Sequence, residues 1–263
     1  MKKHNIIAMA LTSLMALPVI AQDSTPAVGD ILQGINMFTP EEGDPAYKVK
    51  ANEKYGTQWG VDMAYGLWNT EKVSDVKRHN NLALLHAQLN QRLIEDKANG
   101  GTWLRVEFSG SWGLDRESAQ SDTFFTEAYA TASGLHADAM GPHEGIFPEV
   151  ALMQYFAGKR ACLIAGMVNL TNYFDAVSIA NDSFSSFTNH GFVNSTILPL
   201  VDSNIGGILQ VELNRNNYMM VAVSRTGCDS GYNPFNSDYC DGYAVVGEYG
   251  HIFADGAATL RIN

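Results

Sequence analysis

The amino-acid sequence predicts an all-β protein, an antiparallel transmembrane β-barrel. From about residue 60 onward, apolar and polar residues alternate with a period of two, which is typical of strands with one apolar face. The alternating segments are about ten residues long, the length that a tilted strand needs to cross an outer membrane. The connections between them are alternately tight turns and long polar stretches, which is the connection pattern of transmembrane barrels.

The first predicted hairpin shows the alternation most clearly. In Asn81–Leu93, apolar residues dominate the odd-numbered positions, and the even-numbered positions are polar from His86 onward. A polar turn over residues 95–101 leads into Thr102–Ser109, where the alternation resumes. Because successive side chains of a strand point to opposite faces, each arm has one apolar and one polar face.

Three further hairpins are predicted downstream. They are Glu149–Phe156 with Arg160–Leu170, Gly206–Leu213 with Tyr218–Ser224, and Tyr243–Phe253 with Ala257–Ile262. The alanine-rich segment Phe124–Leu135 is predicted as an additional strand. A soluble β-sandwich or jelly roll also alternates, but long arms with tight turns at one end and long loops at the other favour the barrel.

The N-terminus predicts export. A basic start at Met1–His4, an apolar run over Ile6–Ile20 and a small residue at Ala21 indicate a secretory signal peptide over residues 1–21. Export through the Sec pathway would place the mature chain in the outer membrane of a Gram-negative bacterium. Residues 22–60 are predicted to form an N-terminal extension or entry segment, and residues 61–263 the barrel strands and loops.

The composition excludes some function classes. The formal net charge of −11 does not suit a nucleic-acid partner. His143-Glu144 lacks the second histidine of a zinc-protease motif, and Ser111 lacks the glycine two positions before it that a nucleophile elbow needs. The sequence therefore predicts no catalytic group, no metal and no cofactor.

The cysteines fit an oxidising compartment. Cys228 and Cys240 bracket a polar segment and are a candidate disulfide, whereas Cys162 lies in an apolar run and is predicted to be a buried small hydrophobe.

A run from Ala165 to Asn194 resembles the carbohydrate-selective porin family, the OprB-like porins. It contains Asn-Tyr-Phe-Asp at residues 172–175, Ala-Asn-Asp at residues 180–182 and the phenylalanine- and asparagine-rich segment that follows. The resemblance covers roughly residues 149–224. It implies a 16-stranded outer-membrane barrel with small sugars and outer-membrane lipid as partners, either a homotrimer or a monomer. The mature chain has room for about eight to ten strands, so we expect a truncated or fragmentary member or, alternatively, a smaller closed barrel.

Groups that can hydrogen-bond sugar hydroxyls concentrate in Asn172–Asn194. We expect this segment to fold inward as a constriction loop, the alternative being an ordinary external loop. Arg105 and Glu107 share the polar face of one strand, where they could tune the selectivity of a pore or form a stabilising ion pair. The candidate pore-lining residues are Arg105, Glu107, Asn172, Tyr173, Asp175, Asn181, Asp182, Asn189, His190 and Asn194.

The predicted function is an outer-membrane porin for the diffusion of small carbohydrates and ions. Two alternatives remain open. An outer-membrane barrel enzyme would need a Ser/His/Asp site at the barrel rim. A structural or adhesive barrel with a filled lumen would need bulky apolar residues facing inward, whereas the inward face of the predicted strands reads as polar and small.

Overall fold

The computed structural model describes residues 45–73, 76–114, 143–174, 203–226, 242–253 and 258–262. These residues form one α-helix, nine strands and one short 3-10 helix. The elements are α1 (Ala46–Tyr55), β1 (Thr57–Val73), β2 (Val76–Ile94), β3 (Thr102–Gly113), β4 (His143–Phe156), β5 (Ala161–Val168), the 3-10 helix Leu170–Asn172, β6 (Asn204–Asn214), β7 (Asn217–Thr226), β8 (Gly242–Phe253) and β9 (Ala258–Ile262).

The nine strands form a single antiparallel sheet in which spatial order follows chain order. Every strand therefore pairs with its sequence neighbours, and β1 and β9 lie at opposite edges of an open sheet in the described part of the chain. This up-and-down meander confirms the predicted all-β, barrel-type architecture.

The four predicted hairpins are confirmed as the pairs β2–β3, β4–β5, β6–β7 and β8–β9. The structure adds β1, which begins at Thr57 rather than at the predicted residue 61 and pairs with β2. On one face of β1, Gly60 has no side chain and Ala64 only a methyl group. The predicted signal peptide, the alanine-rich strand and the Cys228–Cys240 disulfide lie outside the described residues.

One face of the sheet carries exposed apolar side chains, and we call it the outward face. Met63, Tyr243 and Val245 are 81%, 75% and 71% exposed. Register partners continue the same surface on the neighbouring strands, as Leu209 does opposite Val221. A soluble protein rarely exposes so continuous an apolar surface.

The opposite, inward face combines buried ionic groups with a buried apolar cluster. The apolar cluster contains Trp103, Ala151, Met153, Tyr155, Cys162, Ile164, Val168, Leu170, Tyr173, Phe174, Ile208, Tyr218, Met220 and Ala222. The burial of Cys162 matches its predicted role. The expectation of a polar and small inward face is wrong for much of β4–β7, where large apolar side chains such as Met153 and Ile208 lie inward beside the buried polar residues Glu149, Gln210 and Glu212.

The turn between β2 and β3 is organised by Asp96. The Asn99 side-chain amide donates to Asp96 Oδ2 over 2.8 Å, and the backbone N–H groups of Ala98 and Asn99 donate to Oδ1 over 3.0 and 3.1 Å. These hydrogen bonds, led by that of the Asn99 side chain, lower the pKa of Asp96 from its ordinary value.

We predict that Asn99→Ala raises the pKa of Asp96 toward that of a free aspartate, because the strongest hydrogen bond to the carboxylate is lost. The folded-state pKa of Asp96 is depressed, so its stabilising contribution exists above the unfolded pKa and is lost as the pH falls through the folded pKa. NMR titration of the carboxyl carbon measures the shift. Lys97→Ala, in the same turn, is the matched control and should leave the pKa of Asp96 near its original position.

Tyr218 on β7 lies over a glycine of the neighbouring strand. Its register partner is Gly250, and a Cβ at Gly250 would lie 2.1 Å from the Tyr218 ring atoms Cε1 and Cζ. The phenol ring therefore occupies the space that a side chain on β8 would fill. A glycine within a strand has no side chain to pack, and the ring covers its backbone.

Gly250→Ala should lower the free energy of unfolding by about 1–3 kcal/mol, because the added methyl group displaces the Tyr218 ring. Urea denaturation of the detergent-solubilised protein measures this loss. Gly247→Ala on the same strand is the control, since its nearest neighbour would be Met220 O at 3.8 Å. Equal losses from the two variants would contradict the claim that the Tyr218 ring needs the space at Gly250.

Candidate functional site

Two buried glutamates face each other on the inward face. Glu107 on β3 and Glu149 on β4 are direct register partners and are 6% and 0% exposed. Like charges placed directly opposite each other destabilise an antiparallel pair. Burial of an uncompensated carboxylate is costly as well, so this pair requires hydrogen-bond donors and opposite charge nearby.

Arg105 supplies the opposite charge. It lies on the same face of β3 as Glu107, as the alternation predicted, and its Nε is 3.3 Å from Glu149 Oε1. Its guanidinium carbon lies 5.9 Å from the ring centroid of Tyr173, within the range of a cation–π contact. Arg105 thus bridges Glu149 and the segment that follows β5.

His86 on β2 provides a partner for Glu107. Its Nε2 atom is 2.9 Å from Glu107 Oε1, and the Gln88 side-chain amide is 3.4 Å from the same ring nitrogen. Since Gln88 is the register partner of Glu107, these polar side chains lie side by side on the inward face.

The chain after β5 turns onto the inward face in a short 3-10 helix. Asn169 caps it, and its Oδ1 accepts hydrogen bonds from Thr171 N and Oγ1 over 3.1 and 2.7 Å. Leu170 and Phe174 are fully buried in the apolar cluster. We call residues 169–174 the inner segment, because its two apolar side chains hold it against the wall.

The inner segment contacts both glutamates. Asn172 Nδ2 donates to Glu107 Oε2 over 2.7 Å and to Glu149 Oε2 over 3.0 Å. The Tyr173 hydroxyl donates to Glu149 Oε1. Each carboxylate is therefore bound from two sides, by the wall and by the inner segment, which is the arrangement that makes buried carboxylates tolerable. We call this group the carboxylate cluster. It consists of His86, Arg105, Glu107, Glu149, Asn172 and Tyr173.

Four sequence-predicted site residues thus meet in the carboxylate cluster, namely Arg105, Glu107, Asn172 and Tyr173. The other six candidates, Asp175, Asn181, Asp182, Asn189, His190 and Asn194, lie outside the described residues. Sequence reasoning missed His86 and Glu149 as site residues. His86 lies on the polar face of its predicted arm, whereas Glu149 shares its face with Ala151 and Met153. Only the strand register shows which polar residues become neighbours.

A second line of polar contacts connects the cluster to α1. Asn90, the register partner of Arg105, donates to Gln58 Oε1 over 3.5 Å. Gln58 in turn donates to Asn52 Oδ1 of α1 over 3.3 Å. Polar side chains of all three strands β1–β3 therefore lie on the inward side.

A smaller ionic group lies near the opposite edge of the sheet. The Tyr218 hydroxyl donates to Glu248 Oε1 over 2.7 Å, and Arg261 Nε of β9 is 3.9 Å from the same oxygen. In the described part of the chain, this group and the carboxylate cluster are alike in having a tyrosine hydroxyl bound to a glutamate on the inward face.

The groups at these sites are hydrogen-bond donors and acceptors that are paired with one another across the inward face. Within the described ranges, no group of three or more histidine, cysteine, aspartate or glutamate side chains could hold a metal ion. No stretch of helix in the described part of the chain has the length and apolar character of a transmembrane helix.

An antiparallel meander with an exposed apolar face, an inner wall that carries buried polar groups and a segment folded onto that wall defines the fold as that of a transmembrane β-barrel wall. Among solved structures, the chain is similar to OprB of Pseudomonas putida, solved at high pH, with a TM-score of 0.57 and 10% sequence identity. At that identity the likeness is one of fold. The match covers 80% of this chain and 51% of OprB, so this chain spans about half the length of that protein. No protein-family model and no curated protein sequence matches the chain.

Tyr173→Phe should lower the free energy of unfolding by about 1.5–3 kcal/mol, because it removes a hydrogen bond to a buried carboxylate while keeping the ring. Denaturant titration of the solubilised protein measures the loss.

Tyr249→Phe is the matched control. The Tyr249 hydroxyl donates to the neutral Asn217 side chain at an exposed position, so its loss should cost about 1 kcal/mol or less. A Tyr173→Phe loss no larger than that of the control would show that the inner segment is not held by Glu149.

Proposed function

We propose that the chain forms the wall of an outer-membrane diffusion channel for small polar solutes, with small carbohydrates as the preferred class. The proposal combines three supports: the porin-type fold, the likeness to OprB and the hydrogen-bonding inner wall of β1–β4. Export by the signal peptide of residues 1–21 would bring the chain to that membrane.

One observation carries the proposal, the inverted polarity of the sheet. Large apolar side chains such as Met63 and Val245 are exposed on the outward face, while Arg105, Glu107 and Glu149 are buried on the inward face. Water as the outer solvent would penalise this distribution, whereas lipid outside and a polar interior favour it.

The inner segment supports the idea of a constriction. It follows β5 on the long-loop side of the sheet and is bound to the inner wall through Asn172 and Tyr173. We propose that the chain continuing from it narrows the channel and presents the polar groups of the lining. That lining would comprise Arg105, Glu107, Asn172, Tyr173, Asp175, Asn181, Asp182, Asn189, His190 and Asn194.

Sugars suit such a wall because amide, carboxylate and guanidinium groups can each bind hydroxyls, and tyrosine rings can stack on the apolar faces of sugar rings. Ions would pass through the same bore, and a charged lining would set their selectivity.

A second candidate function is favoured by the apolar cluster. Met153, Tyr155, Ile164 and Ile208 face inward and are buried, as expected of a structural or adhesive barrel with a filled interior. Such a barrel would fold and insert into a membrane but would not conduct.

We predict that the full chain, refolded and inserted into a planar bilayer, gives stepwise ion conductance that added maltotriose reduces. A polyethylene glycol of matched hydrodynamic radius is the control for simple volume exclusion. Equal reduction by both solutes would leave a channel without carbohydrate preference. A folded, inserted protein without any conductance would instead favour the filled barrel.

The two tyrosine variants test the constriction in the same measurement. Tyr173→Phe should raise the single-channel conductance, because the inner segment loses its hydrogen bond to Glu149. Tyr249→Phe, on the outward face, should leave the conductance unchanged.

A further inference from the structure

Helix α1 runs back along the beginning of β1. Gly56 ends the helix with a φ of +65° and reverses the chain direction, and a Cβ there would lie 2.3 Å from Arg92 Cβ. Tyr47 and Lys48, at the first turn of α1, then contact Trp59. The ring centroids of Tyr47 and Trp59 are 6.2 Å apart, and Lys48 Nζ is 4.7 Å from the Trp59 ring centroid.

Through Tyr47 and Lys48, α1 reaches the lipid side of the rim, while its Asn52 accepts a hydrogen bond from Gln58 of the inward face. Trp59 has the same strand parity as Val61 and Met63, whose side chains are exposed on the outward face. The start of β1 pairs with the end of β2 next to the tight turn after Ile94, and tight turns lie on the periplasmic side of outer-membrane barrels. The helix therefore lies where the inner leaflet meets the periplasm.

One exposed face of α1 is aromatic and basic. Tyr47, Lys50 and Lys54 follow one another at spacings of three and four residues, so they share one face of the helix, and all three are exposed. Tyr55 adds a second ring that is 60% exposed, with Lys54 Nζ 4.8 Å from its centroid. Tyrosine and tryptophan prefer the membrane interface, and lysine can extend its stem through that zone.

The charge of α1 differs in sign from that of the whole chain. The helix holds three lysines against one glutamate, whereas the formal net charge of the chain is −11. Basic side chains near a membrane surface are attracted to anionic headgroups by about 1 kcal/mol each, or about fivefold in affinity.

We propose that α1 is an interfacial helix that binds anionic phospholipid headgroups of the inner leaflet through Lys48, Lys50 and Lys54. Tyr47, Tyr55 and Trp59 lie beside those headgroups at the boundary of the hydrocarbon. The inference rests on the proposed function, because only an embedded barrel brings this rim to the leaflet. It assigns to α1 a role in holding the barrel at its depth and in selecting the lipids around its edge.

The test uses quenching of Trp59 by brominated lipids. The full chain is refolded into phosphatidylcholine vesicles that contain either brominated phosphatidylcholine or brominated phosphatidylglycerol at equal mole fraction. Subtracting the emission of the Trp59→Phe variant isolates the signal of Trp59 among the four tryptophans. Brominated phosphatidylglycerol should quench Trp59 with an apparent association constant at least about fivefold higher than that of phosphatidylcholine.

In the triple variant Lys48→Gln/Lys50→Gln/Lys54→Gln, the ratio of the association constants for phosphatidylglycerol and phosphatidylcholine should fall toward one. The matched control, Lys97→Gln/Lys159→Gln/Arg215→Gln, removes three charges from the tight turns of the same rim and should retain the preference. Equal quenching by the two lipids, or an equal loss in the control, overturns the role of α1 while the barrel stands. If neither lipid quenches Trp59, both the membrane barrel and this inference fail.

Discussion

The register of the nine strands is the constraint on which the rest of the structure depends. Side chains alternate between the two faces, so a slip of one residue in any strand would exchange its apolar and polar sets. On β3 such a slip would move Arg105 and Glu107 to the apolar outward face and separate them from Glu149. Short connections, such as Ala157–Arg160 between β4 and β5, hold the register because they leave the strands few alternative pairings.

The carboxylate cluster shows how an interior charge pair is made tolerable. Two glutamates opposite each other would repel, and burial would add the loss of hydration. Arg105 and His86 approach them from the wall, and Asn172 and Tyr173 from the inner segment. Removing one partner of a buried charge pair typically costs about 3–5 kcal/mol of stability. The charged residues of the wall therefore also fix the position of the inner segment that binds them. The packing of Leu170 and Phe174 and the hydrogen bonds from Asn172 and Tyr173 act together to hold it there.

The interior divides into two parts with different consequences. Beside β1–β3 it is lined by amides and charged groups such as Gln58, Asn90 and Arg105, whereas across β4–β7 it is mostly apolar, with buried polar residues such as Glu149 and Gln210 among the apolar ones. A polar solute that passes through the interior would replace its hydrogen bonds to water with hydrogen bonds to protein, and among the described residues only the part beside β1–β3 offers many of these. The second part resembles an ordinary protein core and stabilises the wall. The position of any aqueous path is therefore set by which strands bring polar residues inward.

The sequence by itself determined most of the sheet. Period-two alternation and tight turns located four hairpins, because these signals are local and depend on a few neighbouring residues. They also placed Arg105 and Glu107 on one face. The tertiary structure alone decided what each polar residue meets. Glu149 and His86 approach Glu107 through strand pairing, and Asn172 approaches it from 65 positions along the chain. It also decided that large apolar side chains such as Met153 and Ile164 pack inward, since strands such as β4 and β5, with apolar residues on both faces, carry little period that distinguishes inside from outside.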